Sequence, residues 1–208
     1  MNMTLNIAVA DDEPRMRDYY GEALTRMGHR VAFTAANGRE LIDGCKTTRP
    51  DLIVTDIKMP EIDGIDAAVE IGKADTIPII LVSAYHDEEL LCRAKAGQIF
   101  GFLVKPIKQD DLKAAIAIAM QRFDEFKTLR NEAGELRQAL DDRKYIERAK
   151  GVLMKKAGLD EEEAFKRLRR IARDGNQKLI EVARMILKAE AAFEPATGTE
   201  KNPPDSKS

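Results

Sequence analysis

Three carboxylates, a lysine and a hydroxyl occupy positions from which they could act together: Asp11, Asp12, Asp56, Ser83 and Lys105. Each ends or follows a short apolar run. NIAVA leads to the acid pair, LIVTD ends on Asp56, IILVSA holds Ser83 and GFLVK ends on Lys105. If these runs are parallel strands of one doubly wound sheet, their carboxyl ends converge on one crevice. Two carboxylates 4 Å apart repel by about 4 kcal/mol at an effective dielectric near 20, and Lys105 offsets one charge of the three. A hard divalent cation held by oxygens, Mg²⁺, is the natural complement. A carboxylate flanked by Mg²⁺, a lysine and a hydroxyl is equipped to accept a phosphoryl group. Taken singly, Asp11 and Asp12 before Glu13-Pro14 would only cap a helix, and Lys105-Pro106 would only turn the chain. The chemistry rests on the five together.

The elements that must position them are legible as far as about residue 122. Five apolar runs (NIAVA, VAFTA, LIVTD, IILVSA, GFLVK) alternate with helix-like stretches near 15–27, 38–48, 64–73, 87–96 and from 109 onward. Near-continuous apolar strands alternating with helices imply a parallel sheet covered on both faces. The expected fold is therefore α/β, a doubly wound five-stranded parallel sheet.

The segments AVADDEP, LIVTDIKMPEIDG, ILVSAY and FLVKP resemble the signature segments of response-regulator receiver domains, flavodoxin-like in fold, over residues 4 to 122. That resemblance implies that Asp56 is the phosphoacceptor and that a sensor histidine kinase is the phosphodonor. It further implies that Asp11, Asp12, Asp56 and the backbone of Lys58 bind Mg²⁺. Ser83 would meet the phosphoryl group and Lys105 would pair with its oxygens. Phe102 matches the aromatic switch position, and Lys105-Pro106 matches a peptide that is often cis in the family.

Proline punctuates this first part at 14, 50, 60, 78 and 106 and does not recur before Pro195, which permits long helices. Phe126, Leu129, Ala133, Leu136 and Leu140 follow the alternating 3,4 spacing of a heptad seam, about two heptads long. So short a seam is marginal as a dimer contact; alternatively, the same residues pack back on the first domain. Gly158 suits a helix end, Asp160 with Glu163 resembles a capping box, and Gly175-Asn176 breaks a further helix. Ile146, Ala149, Leu153, Leu168, Ala172, Leu179, Ala183 and Ile186 would core a small three-helix bundle.

The net charge of −2 conceals an asymmetry. From 143 to 188 there are 14 Lys and Arg against 7 Asp and Glu, net +7, which leaves −9 for the rest of the chain. A basic module on an acidic body suggests a polyanion partner. Lys144, Arg148, Gly151 and Lys155 form one helical stripe, and Lys166, Arg170 and Arg173 form another on the next helix. An interior glycine costs a helix up to about 1 kcal/mol relative to alanine. Charge alone leaves RNA, DNA and an anionic lipid surface open as the polyanion, and Gly151 is expected either where that partner approaches the backbone or where helices pack closely.

The segment IERAKGVLMKKAGLDEEEAFKRLRRIARDGNQKLIEVARMIL resembles the ANTAR domain, the RNA-binding output module of antitermination regulators. The resemblance implies that phosphorylation favours a homodimer through the helical linker and that paired bundles bind RNA hairpins which preclude a terminator. The contacts assigned to RNA are Lys144, Arg148, Lys150, Gly151, Lys155, Lys166, Arg169, Arg170 and Arg173. The divisions are a receiver domain at 1–122, a helical coiled-coil linker at 123–144, the RNA-binding bundle at 145–192 and a disordered tail at 193–208. A DNA-binding response regulator and a protein-interaction adaptor remain as alternatives.

Other classes are excluded. Both histidines, His29 and His86, lie in the first part, so the bundle is neither a phosphotransfer module nor a histidine-kinase helix pair. It has no Gly-rich phosphate loop, metal-ligand cluster or nucleophile–base pair, so no enzyme output is expected beyond self-catalysed phosphoryl transfer to and from Asp56. No window approaches the apolar length of a membrane span, the N-terminus lacks a leader pattern, and Cys45 and Cys92 imply no disulfide framework. A cytoplasmic protein without membrane attachment is expected.

Overall fold

The computed structural model describes residues 4–84 and 98–193. The helix expected near 87–96, His86, Cys92 and the tail beyond 193 lie outside the described residues. Two compact units divide at Leu129 and Arg130.

In the first unit, β1 (Asn6–Ala10), β2 (Arg30–Ala35), β3 (Leu52–Asp56), β4 (Ile79–Ser83) and β5 (Ile99–Val104) form one parallel sheet in the order β2-β1-β3-β4-β5. Between them run α1 (Pro14–Arg26), α2 (Gly38–Thr48) and α3 (Gly64–Ala74). The two-residue period of the strands sends alternate side chains to opposite layers. Ala8, Ala10, Ile53, Ile79 and Leu81 meet α2 and α3 through Leu41, Ile42, Ile65, Ala68 and Ile71. Ile7, Val9, Leu52, Val54, Ile80 and Val82 meet Tyr20 and Leu24 of α1 and Leu112, Ile116 and Ala119. Burial on both faces explains why β3 and β4 are apolar without alternation. The edge strand β5 begins at Ile99, before the GFLVK run read from sequence. There Phe100 packs edge-on against Phe123 and Phe126.

Residues 112, 116 and 119 belong to α4 (Gln109–Ala157), a helix of 49 residues. Its first turn carries Asp110 and Asp111 and its last Lys155 and Lys156, each suited to the local end of the helix dipole. Along the expected seam, Phe126 packs back on Phe100, whereas Leu129 and Leu136 are each 65% exposed and Leu140 is 53% exposed.

In the second unit, Gly158 ends α4 with φ +65°. Here α5 (Glu161–Asp174) starts from the expected capping box: the Glu163 N–H donates to Asp160 Oδ1 at 2.8 Å, and the Asp160 N–H donates to Glu163 Oε2 at 3.3 Å. Gly175 and a left-handed Asn176 (φ 48°) separate it from α6 (Leu179–Phe193). The core is Ala149, Leu168, Ala172, Val182 and Ala183, with Ile146, Leu153, Leu179 and Ile186 packed against it. Val182 alone among the five buried residues was not anticipated.

Candidate functional site

The order of the sheet reverses between β1 and β3, and the acidic residues gather at that point. Asp11 follows β1 and is fully buried, Asp56 ends β3 and is nearly so, and Asp12 is exposed. Lys105 follows β5, tied to β4 by its N–H donating to the Ser83 carbonyl at 2.8 Å. Its ammonium lies 3.0 Å from Asp11 Oδ2 and 3.2 Å from Asp56 Oδ1. Burial pushes the Asp56 carboxyl above its ordinary range, Lys105 opposes that shift, and Asp11 and Asp12 reinforce it. Burial alone would lower the Lys105 pKa, but its contacts with Asp11 and Asp56 outweigh that and raise it. Ser83 is buried at the end of β4, Phe102 is half-buried against the α2–α3 layer, and Lys58 is exposed just beyond Asp56. The Lys105-Pro106 peptide is cis.

The loops around this cluster are held by local polar contacts. The Glu13 N–H donates to Asp11 Oδ1 at 2.9 Å, closing the turn into α1. Thr55 Oγ1 donates to the Asp56 carbonyl at 3.0 Å. Gly64 starts α3 so close to that carbonyl that a β-carbon there would collide with it, which is why the position is a glycine.

Two residues of this site escaped the sequence reading. The Arg17 guanidinium donates to the Asp11 carbonyl at 2.7 Å and the Asp12 carbonyl at 3.2 Å, clamping the loop that carries both acids. Tyr20 is wholly buried, with no partner for its hydroxyl among the described residues. Burial foremost, then the fields of Asp11 and Asp56, hold that phenol far above its usual range. The only sequence signal for either was a polar group on α1 within two turns of the acid pair.

Asp11, Asp12 and Asp56 against Lys105 leave two uncompensated negative charges and an all-oxygen donor set, which fits one hard divalent cation. Among the described residues no three His, Cys, Asp or Glu side chains converge as a closed metal cage. Mg²⁺ does not require one: it keeps several waters and takes one or two carboxylates directly. A recess of about 430 Å³, lined by Met16, Tyr19, Ala84, Lys105, Pro106 and Ile107, opens beside the lysine.

The bundle carries the second set of residues. Lys144, Arg148, Gly151 and Lys155 are exposed on α4, and Lys166, Arg169, Arg170 and Arg173 are exposed on α5. Lys144 and Lys166 make surface pairs with Asp141 and Glu162, of a kind worth little and readily exchanged. A β-carbon on Gly151 would meet nothing within 4 Å, so close packing within the bundle does not explain that glycine.

Lys150 corrects the expectation. It is 8% exposed, its ammonium lying 2.8 Å from Glu147 Oε2 and 2.7 Å from Glu161 Oε1, beside the Phe165 ring. Hydrogen bonds to the two carboxylates hold it above the usual lysine range. It ties the start of α5 to α4 and is not an exposed RNA contact. The sequence showed a cation in a basic stretch but not the two acids folded over it.

Family models match the response regulator receiver domain over residues 7–117 and the ANTAR domain over 134–187. The transcriptional regulatory protein PdtaR of Mycobacterium tuberculosis is 37% identical over 181 residues, covering 87% of this chain and 88% of that protein. This chain belongs to the receiver–ANTAR response regulators. The chemotaxis protein CheY of Thermotoga maritima is 35% identical over 115 residues, covering 55% of this response regulator and 96% of CheY. In the crystal structure of the CheX–CheY–BeF₃–Mg²⁺ complex from Borrelia burgdorferi, the matching chain is 26% identical with a TM-score of 0.51. That match covers 53% of this regulator and 85% of that chain. Among the described residues, no helix of the regulator is long and apolar enough to cross a membrane.

Proposed function

We propose that this response regulator accepts a phosphoryl group on Asp56 from a sensor histidine kinase and controls gene expression by binding RNA hairpins that preclude transcription termination. The observation that carries the reading is Asp56, buried beside Lys105 at the reversal point of a receiver sheet, in one chain with a basic ANTAR bundle. An Asp56 carboxylate oxygen attacks phosphorus, the phosphorus–nitrogen bond of a phosphohistidine breaks, and an acyl phosphate forms. Lys105 opposes the upward push of burial on the Asp56 carboxyl and then pairs with the phosphoryl oxygens. Ser83 meets the phosphoryl group, and Phe102 at the switch position reports the change. Asp11, Asp12, Asp56 and the Lys58 backbone would hold Mg²⁺, which when bound would supply positive charge against the transferred group. Water later returns the carboxylate, and the chain has no other enzymatic activity.

The divisions proposed are a receiver domain at 1–122, a helical linker at 123–144, an RNA-binding bundle at 145–192 and a tail at 193–208. Leu129, Leu136 and Leu140 provide a homodimer seam short enough for phosphorylation to decide its occupancy. The protein acts in the cytoplasm without a membrane partner.

Two measurements test the reading. Asp56→Asn abolishes labelling by a small-molecule phosphodonor, and persistent labelling overturns the phosphoacceptor assignment. The phosphorylated chain binds hairpin RNA with an affinity that falls with salt, by about 0.7 in log–log slope per neutralised phosphate of single-stranded RNA. Preference for duplex DNA, or indifference to both nucleic acids, overturns the RNA reading.

A further inference from the structure

Phe165 lies on α5 outside the cluster that cores the bundle, and it is 38% exposed. A lone exposed apolar side chain means little by itself. Its neighbours set this one apart. The Lys150 ammonium lies 5.8 Å from the ring centroid, held from behind by Glu147 and Glu161. The Arg169 guanidinium also lies 5.8 Å from the centroid. That is the outer limit of a cation–π contact, well beyond the separation of stacked planes. Among the described residues no carboxylate pairs with Arg169. One cation beside the ring is thus buried and doubly paired, while the second is exposed.

Resting on the RNA-binding reading above, we propose that Phe165 is a base-stacking platform: one unstacked base of a single-stranded RNA loop lies on its exposed surface, and Arg169 swings to the adjoining phosphate. Every base has a π-face, and RNA loops present bases free of the helix stack. Arg169 can follow the phosphate because a planar guanidinium serves both rings and phosphates. Lys150 acts as a positioning residue, keeping its charge buried in the protein and the ring in place. The bundle therefore reads RNA with an aromatic group as well as with its basic stripes.

The test uses the phosphorylated full chain and a hairpin RNA isolated from a randomised-loop library against it. Replacing a stacked aromatic costs about 1–3 kcal/mol, or 5- to 150-fold in affinity. Phe165→Leu is expected to bind that hairpin 5- to 150-fold more weakly with unchanged helical content, and Phe165→Tyr to bind as the unaltered chain does. Removing one loop base at a time is expected to reveal a single position at which the Phe165→Leu penalty disappears. With 5-iodouridine at that position, photo-cross-linking of the unaltered protein is expected to mark the peptide containing Phe165. The cross-link does not depend on any variant folding. A Phe165→Leu chain that binds normally, a penalty independent of every loop base, or a cross-link mapping elsewhere, such as to Tyr145, overturns the proposal. Failure of the unaltered chain to select any RNA overturns the RNA-binding reading instead.

Discussion

Gly151 offers a substitution whose effects on stability and on binding carry opposite signs. It sits within α4, is exposed, and has open space where a β-carbon would stand. Alanine there relieves the conformational freedom that glycine forfeits on folding and should stabilise the helix by about 0.5–1 kcal/mol. Opening of the bundle should become about two- to fivefold rarer, at a factor of ten per 1.4 kcal/mol. Leucine, nearly as good a helix former, should give much the same gain. If RNA approaches the backbone between Arg148 and Lys155, however, leucine holds it away and sacrifices at least one charge-assisted contact. Such a contact is worth about 1.5–3 kcal/mol, so binding should weaken at least tenfold. Gly134 is the control, being exposed on α4 with equally open surroundings but outside the bundle. Hydrogen exchange read by mass spectrometry on peptides covering α5, paired with hairpin titrations, measures both quantities in the full chain. Faster exchange in Gly151→Ala would mean that the space around Gly151 is not open. A more stable Gly151→Leu chain that binds RNA within twofold of the original would refute the close approach.

Lys150→Gln is expected to lower thermal stability and RNA affinity together while leaving the salt dependence of binding unchanged, because Lys150 neutralises Glu147 and Glu161 rather than a phosphate. Arg170→Ala should do the reverse, keeping stability and reducing the slope by about 0.7; salt titrations of the two variants, compared with their melts, check the pair. Leu168 is fully buried in a core of few large side chains, so Leu168→Ala should cost about 2–5 kcal/mol and open the bundle selectively, detected as lost exchange protection in α5 and α6. His29 accepts a hydrogen bond from the Leu5 N–H at Nδ1, and burial holds its pKa below 6.5. The unfolded chain therefore protonates first, and stability should be full above about pH 6.5 and decline as pH falls toward the lower folded value. Urea titrations between pH 5 and 7 should show a flatter dependence for His29→Gln.

Much of this molecule is written in local pattern. The strands of the receiver are continuous apolar runs because both faces are covered, and each catalytic candidate stands at a strand end, so topology alone brings Asp11, Asp56 and Lys105 to one place. The bundle is equally legible: Ala149, Leu168, Ala172 and Ala183 recur at helical spacing, and Asp160, Gly158 and Gly175 mark ends through interactions spanning a few residues. The tertiary structure decided what depends on groups distant in sequence or on which way a long side chain turns. Lys150 looks like its basic neighbours until Glu161, from the next helix, meets it across the turn. Arg17 reads as a solvated helix cation, yet it reaches back over the acidic loop to hold two carbonyls. Phe126 fits a seam by spacing and is drawn instead to Phe100, whereas Leu129, Leu136 and Leu140 stay mostly exposed. Periodicity identifies the side of a helix on which a residue stands. Whether that side meets water, a carboxylate or an aromatic ring is settled only when the other elements are in place.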